Sequence, residues 1–262
     1  MKYAAAVVAL ALAAMPVCGG GQQERFDREY ADLRMVEVNS DSFNVEVRGT
    51  PGNTVRVTVD GIPDGVTVAD RVRRQAVTIH VQGRPSWFDR NSATPVIRIE
   101  VPTGIDLDIE SASGAIVTRG VQGHLAFRSA SGGVTLSDVG GDLQVRTASG
   151  AVRVEQAVGS MMLQSASGGV DMARCQGIVA VQTASGHIRA RELRLTADAR
   201  FESSSGGIDV DLVNDLSDLT YRLTSSSGRI RFGDIEAGNH LTGGSGRFLI
   251  EARTASGAQT FR

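Results

Sequence analysis

Lysine is almost missing from this chain: Lys2 is the only one, so every other basic residue is arginine. Charges of both signs are interleaved and sum to −2, so there is no concentrated basic face, and a nucleic-acid partner is excluded. Cysteine is nearly as scarce, with Cys18 and Cys175 the only two. Aromatic residues make up 5%, with Trp87 the single tryptophan, which suits narrow units with many tight bends rather than a broad aromatic core. Helical periodicity is lacking too, beyond a turn or two over 69–75. After residue 15 no run is long and apolar enough for a membrane-spanning helix. Hydrophobic residues still reach 41% over 262 positions, enough to bury a core.

What is present is a repeat. Ser111-Ala112-Ser113-Gly114 returns at Ser129, Thr147, Ser165 and Thr183, each 18 residues after the last, then at Ser203 and Ser225 after 20 and 22. Ser245-Gly246 and Thr254-Ala255-Ser256-Gly257 are weaker echoes. A fixed short period is the signature of a solenoid or array.

Counting the first Ser or Thr as position 1, the repeats align into columns. Position 6 runs Ile116, Val134, Val152, Val170, Ile188, Ile208, Ile230, and on this phase Phe248. Positions 8, 15 and 17 are apolar as well, with polar residues between them, the alternation of half-buried strands near positions 5–9 and 14–18. Position 13 is Gly123, Gly141, Gly159 and Gly177, suited to one bend by its tolerance of positive φ, and the Ser-Gly pair makes the other. Two strands per unit suit either an antiparallel meander or a parallel β-solenoid. The solenoid is favoured because in-register stacking explains the uniform columns. It also explains outward position 7, where Arg153, Asp171, Arg189, Asp209 and Arg231 alternate in sign, as neighbours on a sheet prefer. The expected fold is therefore all-β: a single-stranded parallel β-helix with 18-residue coils and two short strands per coil. About eight coils would span roughly 40 Å.

Three segments follow from this reading: a secretory signal peptide at 1–21, a β-rich segment at 22–104 that serves as a cap or as early coils, and the solenoid at 105–262. The first rests on Met1-Lys2, the apolar run 3–15 and the small residues 16–21. Cys18 is a candidate for lipidation, although Val17 stands where a lipobox carries a small residue; cleavage after Gly19, Gly20 or Gly21 is the competing outcome. Cys175 sits in an apolar column at position 11 and reads as buried. Trp87 and Phe88, in the loop-like stretch 83–91, read either as an aromatic plug over the first coil or as an exposed contact for a glycan or protein.

Val96 to Gly104, reading I-x-I-x-V-P-x-G from Ile97, leads into S-x-S-G-x-I units, and this combination resembles the bacterial putative-adhesin β-strand-repeat family over about residues 33–262. The resemblance implies an exported β-helical envelope protein, a domain of unknown function without established catalytic residues.

Chemistry is sparse. Asp138, Asp142 and Asp171 fall at positions facing different ways, and Asp209 with Asp211 lies beside arginine columns, so the carboxylate cluster of a polysaccharide-cleaving β-helix is not formed. The four histidines share no column, so no metal site is expected. Ser113 and its equivalents down to Ser245 form one line of hydroxyls, read as satisfying backbone groups at the corner. The expectation is a non-enzyme without cofactor: an adhesin-like binding or scaffold rod of the periplasm, outer membrane or cell surface. Its partner would be an envelope protein or glycan, and its only membrane attachment a lipid on Cys18. Arg153, Asp171, Arg189, Asp209, Arg231, Trp87 and Phe88 are the candidate binding surface. A polysaccharide-cleaving enzyme and a self-assembling element joined end to end are the alternatives.

Overall fold

A computed structural model describes residues 24–63, 65–83 and 96–262. Trp87, Phe88, Cys18 and the signal segment lie outside the described residues. The structure is all-β and solenoid-like, with one short 3-10 turn at Leu216–Asp218. Through the middle, neighbouring strands are parallel and in register at an offset of 18 residues: Leu125 beside Leu143, Leu143 beside Met161, Met161 beside Val179. Two faces result, one built from positions 5–9 and the other from positions 12–18. Their inward columns are buried throughout, as with Val134, Leu136, Leu143 and Val145. Each such side chain contributes about 1.5–3 kcal/mol, so the narrow core holds by repetition rather than by any one cluster.

The corner between position 1 and position 4 sets the spacing. A Cβ added to Gly168 would lie 2.1 Å from the Gly150 carbonyl oxygen, and one added to Gly150 would lie 1.9 Å from that of Gly132. These glycines are required by the close approach of backbones. Beneath them the position-1 hydroxyls are buried, from Ser40 and Ser111 to Ser225 and Thr254. Ser165, Thr183 and Ser203 each accept a bond from the position-4 N–H of their own coil, at 2.9, 2.9 and 2.8 Å. Thr183 and Ser203 donate to the position-4 carbonyl of the coil before, each at 3.3 Å. The backbone-satisfying role expected of the position-3 serines thus falls mainly on position 1, while Ser131, Ser149 and Ser167 are exposed.

The second bend uses glycine with positive φ at Gly123, Gly141, Gly159 and Gly177. It also uses a left-handed residue at position 10, including Asp138, Gln156, Arg174 and Glu192 with φ of 52–55°. Non-glycine residues rarely sit there, and side chains that look merely polar in sequence conceal this half of the bend.

Coil order departs from sequence order at both ends. Met35–Ser40 lies between Ala76–Gln82 and Asp106–Ser111, parallel to both. Asn44–Thr50 likewise lies between Val96–Pro102 and Ile116–Arg119. At the other end Phe248–Thr254 fills the space between 199–203 and Leu219–Ser225. Gln259–Phe261 sits between Ile208–Leu212 and Ile230–Phe232. The last repeat is therefore inserted inside the stack. Its phase is set by Thr254, so Phe248 is not at position 6, and Ser245 is not in the hydroxyl line; Ser256 is, with its N–H bonded to the Ser204 carbonyl at 2.9 Å.

Antiparallel strands cover the outermost coils: Thr67–Arg73 and Thr54–Ile62 at one end, His240–Gly243 and Ile235–Ala237 at the other. Glu24–Ala31 pairs antiparallel with Thr54–Ile62, and Tyr30 donates to Asp70 at 2.9 Å, tying the two faces together. Arg56 bonds both carboxylate oxygens of Asp27 at 3.1 and 2.9 Å and holds that carboxyl below the usual range. Charged edge strands of this kind resist pairing with further chains.

Two outcomes follow. Gly168→Ala should destabilise by about 3 kcal/mol or more in denaturant melts, because the added carbon meets backbone. Gly169→Ala, whose Cβ would meet the His187 carbonyl at an ordinary 3.4 Å, should stay within about 0.5 kcal/mol. Equal losses would show that the corner is not close-packed. For Asp27 the folded pKa is depressed, so its contribution is present above the unfolded value and lost as pH falls below about 4. Protection factors, which correct for the intrinsic slowing of exchange in acid, should fall selectively in Glu24–Ala31 under those conditions, and an unchanged pattern would refute the role of this pair.

Candidate functional site: a groove along the corner

Because position 4 is pinned beneath, position 2 is turned outward at the same corner, and it is small in coil after coil. Ala112, Ala130, Ala148, Ala166 and Ala184 are all exposed, and Ser204, Ala255 and Ser226 continue the line. Position 18, the outward residue just before the corner, carries longer side chains that stand beside this strip as a wall. Three hollows of about 590, 350 and 370 Å³ run along it. The first and second share Arg146, Thr147 and Ala166, and the second and third share Gln182, Thr183 and Ser204. They are therefore one continuous groove, parallel to the stack and open to solvent, with a floor that repeats at the strand spacing of about 4.8 Å.

Its wall varies along the length. Glu110, Arg128 and Arg146 line one end, Gln164 and Gln182 the middle, and Glu202 and Arg253 the other end. Arg128 is engaged by Asp108 at 2.6 Å, and Arg253 by Glu251 at 2.6 Å. Arg146 and Glu110 have no ion-pair partner among the described residues. In the middle the Gln164 amide donates to the Gln182 carbonyl oxygen at 3.4 Å, so the wall there is an uncharged amide ladder above an alanine floor. Outward on the same face, Val158, Met162 and Ile178 form an exposed apolar patch.

The charged ladder expected at position 7 is present for four coils. Arg153, Asp171, Arg189 and Asp209 are successive register neighbours, with Arg189 and Asp171 3.8 Å apart. Arg231 is not next in line. Thr260 separates it from Asp209, because the last repeat is inserted there. Arg231 instead donates to the Gly233 carbonyl at 3.0 Å. Asp209 is paired with Arg262 at 3.0 Å, and Arg262 also contacts Asp211. Arg153, Asp171, Arg189 and Arg191 line a separate hollow of about 380 Å³ on that face.

Cys175 is buried, and burial pushes its thiol up, away from reactivity. Among the described residues no group of His, Cys, Asp or Glu is placed to hold a metal ion, and no helix is long and apolar enough to cross a membrane. The groove itself was not visible as a site in the sequence. Its signal was the alanine at position 2, which reads as filler in a Ser-Ala-Ser-Gly phrase unless the corner is known to point outward.

Solved structures that match the chain include a putative adhesin from Parabacteroides distasonis, 12% identical, with 92% of this chain and 98% of that chain covered and a TM-score of 0.45. Others are a putative adhesin from Bacteroides fragilis and a putative lipid binding protein from Parabacteroides distasonis, each 14% identical over 92% of this chain and 98% of theirs, with TM-scores of 0.39. No curated protein matches the chain. The sequence profile of the Toastrack DUF4097 family matches residues 33–257, and the chain therefore belongs to that β-rich family of unknown function.

Proposed function

We propose that this protein is a non-catalytic, adhesin-like rod of the cell envelope, exported by its apolar leader, that holds an extended neutral glycan along the corner groove. The rod itself is read as one parallel β-helix with two strands per coil, covered at each end by antiparallel strands. The observation that carries the function is the continuity of the groove: three hollows that share lining residues make one track rather than isolated pockets.

The floor period favours a glycan over a peptide. An extended peptide advances about 3.3 Å per residue and falls out of step with a floor that repeats at about 4.8 Å, whereas a pyranose ring is wide enough to cover one coil. The amides of Gln164 and Gln182 suit hydroxyl groups, and the small floor admits a ring lying flat. Each unit would contribute little, and many in line would contribute much, since binding at one coil raises the effective concentration at the next. A polysaccharide-cleaving activity finds less support: Asp209 and Asp211, which share an outward face, are both engaged by Arg262, and Asp108, which shares another with Asp106 and Glu110, is engaged by Arg128.

The test is calorimetric titration of residues 22–262 with cello-oligosaccharides, xylan and dextran. Affinity should rise with chain length for the matching polymer. Ala166→Arg should block the groove and reduce binding at least tenfold, with an unchanged melting temperature because the residue is exposed. Gln182→Ala should weaken binding about three- to tenfold through one lost hydrogen bond. Length-independent binding, or binding indifferent to Ala166→Arg, would remove the groove as the site.

A further inference from the structure

The inserted last repeat has a property that the middle coils lack. Coils in the middle of the stack are tied by short links to both neighbours. Residues 248–261 are reached through 233–247, which crosses from the outer side of Leu219–Ser225 to the inner side. That connector holds five glycines, Gly233, Gly238, Gly243, Gly244 and Gly246, and its last turn wraps tightly around the backbone at 218–220. With 248–261 absent, the strands on either side would face each other across an open slot.

The insert also carries an amide in its core column. At position 6, where the middle coils place Val or Ile, it buries Gln259. The Gln259 side-chain N–H donates to the Thr224 carbonyl at 2.6 Å, but its own amide oxygen is buried without a partner. A buried orphan oxygen weakens the seat of this coil, as the unpartnered hydroxyls of Thr118 and Ser129 weaken theirs, but only here is it an amide in the position-6 column. Its remaining contacts are specific to this sequence: Phe261 packs against Phe201 and Phe232 with centroids 5.9 and 6.1 Å away, Thr254 donates to the Gly206 carbonyl at 3.3 Å, and Arg262 meets Asp209 and Asp211.

We propose that residues 248–262 exchange between copies: the segment leaves its own slot and fills the same slot of a second chain, so that two rods close one another. The partner is a second copy because the slot is matched to this segment's own residues along both faces. A swapped element makes the same contacts it makes at home, so exchange costs little beyond opening. This inference rests on the strand order and stands whether or not the groove binds glycan.

Register neighbours Asp209 and Thr260 provide the test, since adjacent strands bring their Cα atoms about 4.8 Å apart, within reach of a disulfide. In a background of Cys18→Ser and Cys175→Ala, one chain carries Asp209→Cys and the other Thr260→Cys, and the two are mixed, warmed briefly and oxidised. A disulfide between 209 and 260 joining two chains is expected, several-fold more abundant at tenfold higher protein concentration. A chain carrying both cysteines should close within itself. Pairing Thr260→Cys with Thr135→Cys, on the same outward column but distant in the stack, reports chance collisions. If the doubly substituted chain closes internally while the 209–260 link between chains does not exceed the Thr135 control, exchange is overturned. Failure of the internal closure would overturn the register, and the proposal with it.

Discussion

The structure depends on one steric fact: at one corner of each coil, two backbones approach until no side-chain carbon fits between them. Gly150, Gly168, Gly186 and Gly206 each stand with the preceding carbonyl where a Cβ would be, at 1.9–2.1 Å. From that contact follow the shared register, the buried hydroxyl at position 1 that reaches position 4 of its own coil and of the one before, and the outward turn of position 2. The groove is thus a by-product of the corner. A coil with alanine at position 4 would push its neighbour away, break the hydroxyl relay and open the floor at once.

Much of this was legible. Apolar columns at positions 6, 8, 15 and 17 correspond to the buried columns of the middle coils, and position 13 glycines do carry positive φ. The left-handed residues Gln156, Arg174 and Glu192 were not legible, since nothing about glutamine, arginine or glutamate advertises that conformation. Spatial order was not legible either, for a physical reason. When every coil presents matching columns, any coil can sit beside any other, and periodicity constrains phase but not sequence of stacking. A clue lay in spacing: Ser245 and Thr254 are 9 residues apart, too close for both to begin 18-residue coils. Only Thr254 does, and Gly243 to Gly246 is the crossing that brings the chain there. For the binding surface, the alternating charges of Arg153 to Asp209 drew the eye because charge is conspicuous. The alanine strip drew none, although its surroundings form the longer recess.

The two ends share a plan that runs in opposite directions along the chain. At the start, after the edge strand Glu24–Ala31, the order is inserted coil, antiparallel cover, outermost coil, then regular stack; at the finish it is regular stack, outermost coil, antiparallel cover, inserted coil. In both places the inserted coil is held on two sides, while the edge exposed to solvent belongs to an antiparallel strand. A solenoid laid down in sequence order would end instead in a coil held on one side only, the part most prone to fray and to recruit other strands. Insertion converts that weak point into an interior one. The cost is kinetic, because each slot must be framed by strands distant in sequence before its insert can seat, and closing such long loops is slow. A slot framed before it is filled stands ready for any strand of the right pattern. The chain's own repeat is that pattern, so the regularity that stabilises the finished rod is also what makes one copy recognisable to another.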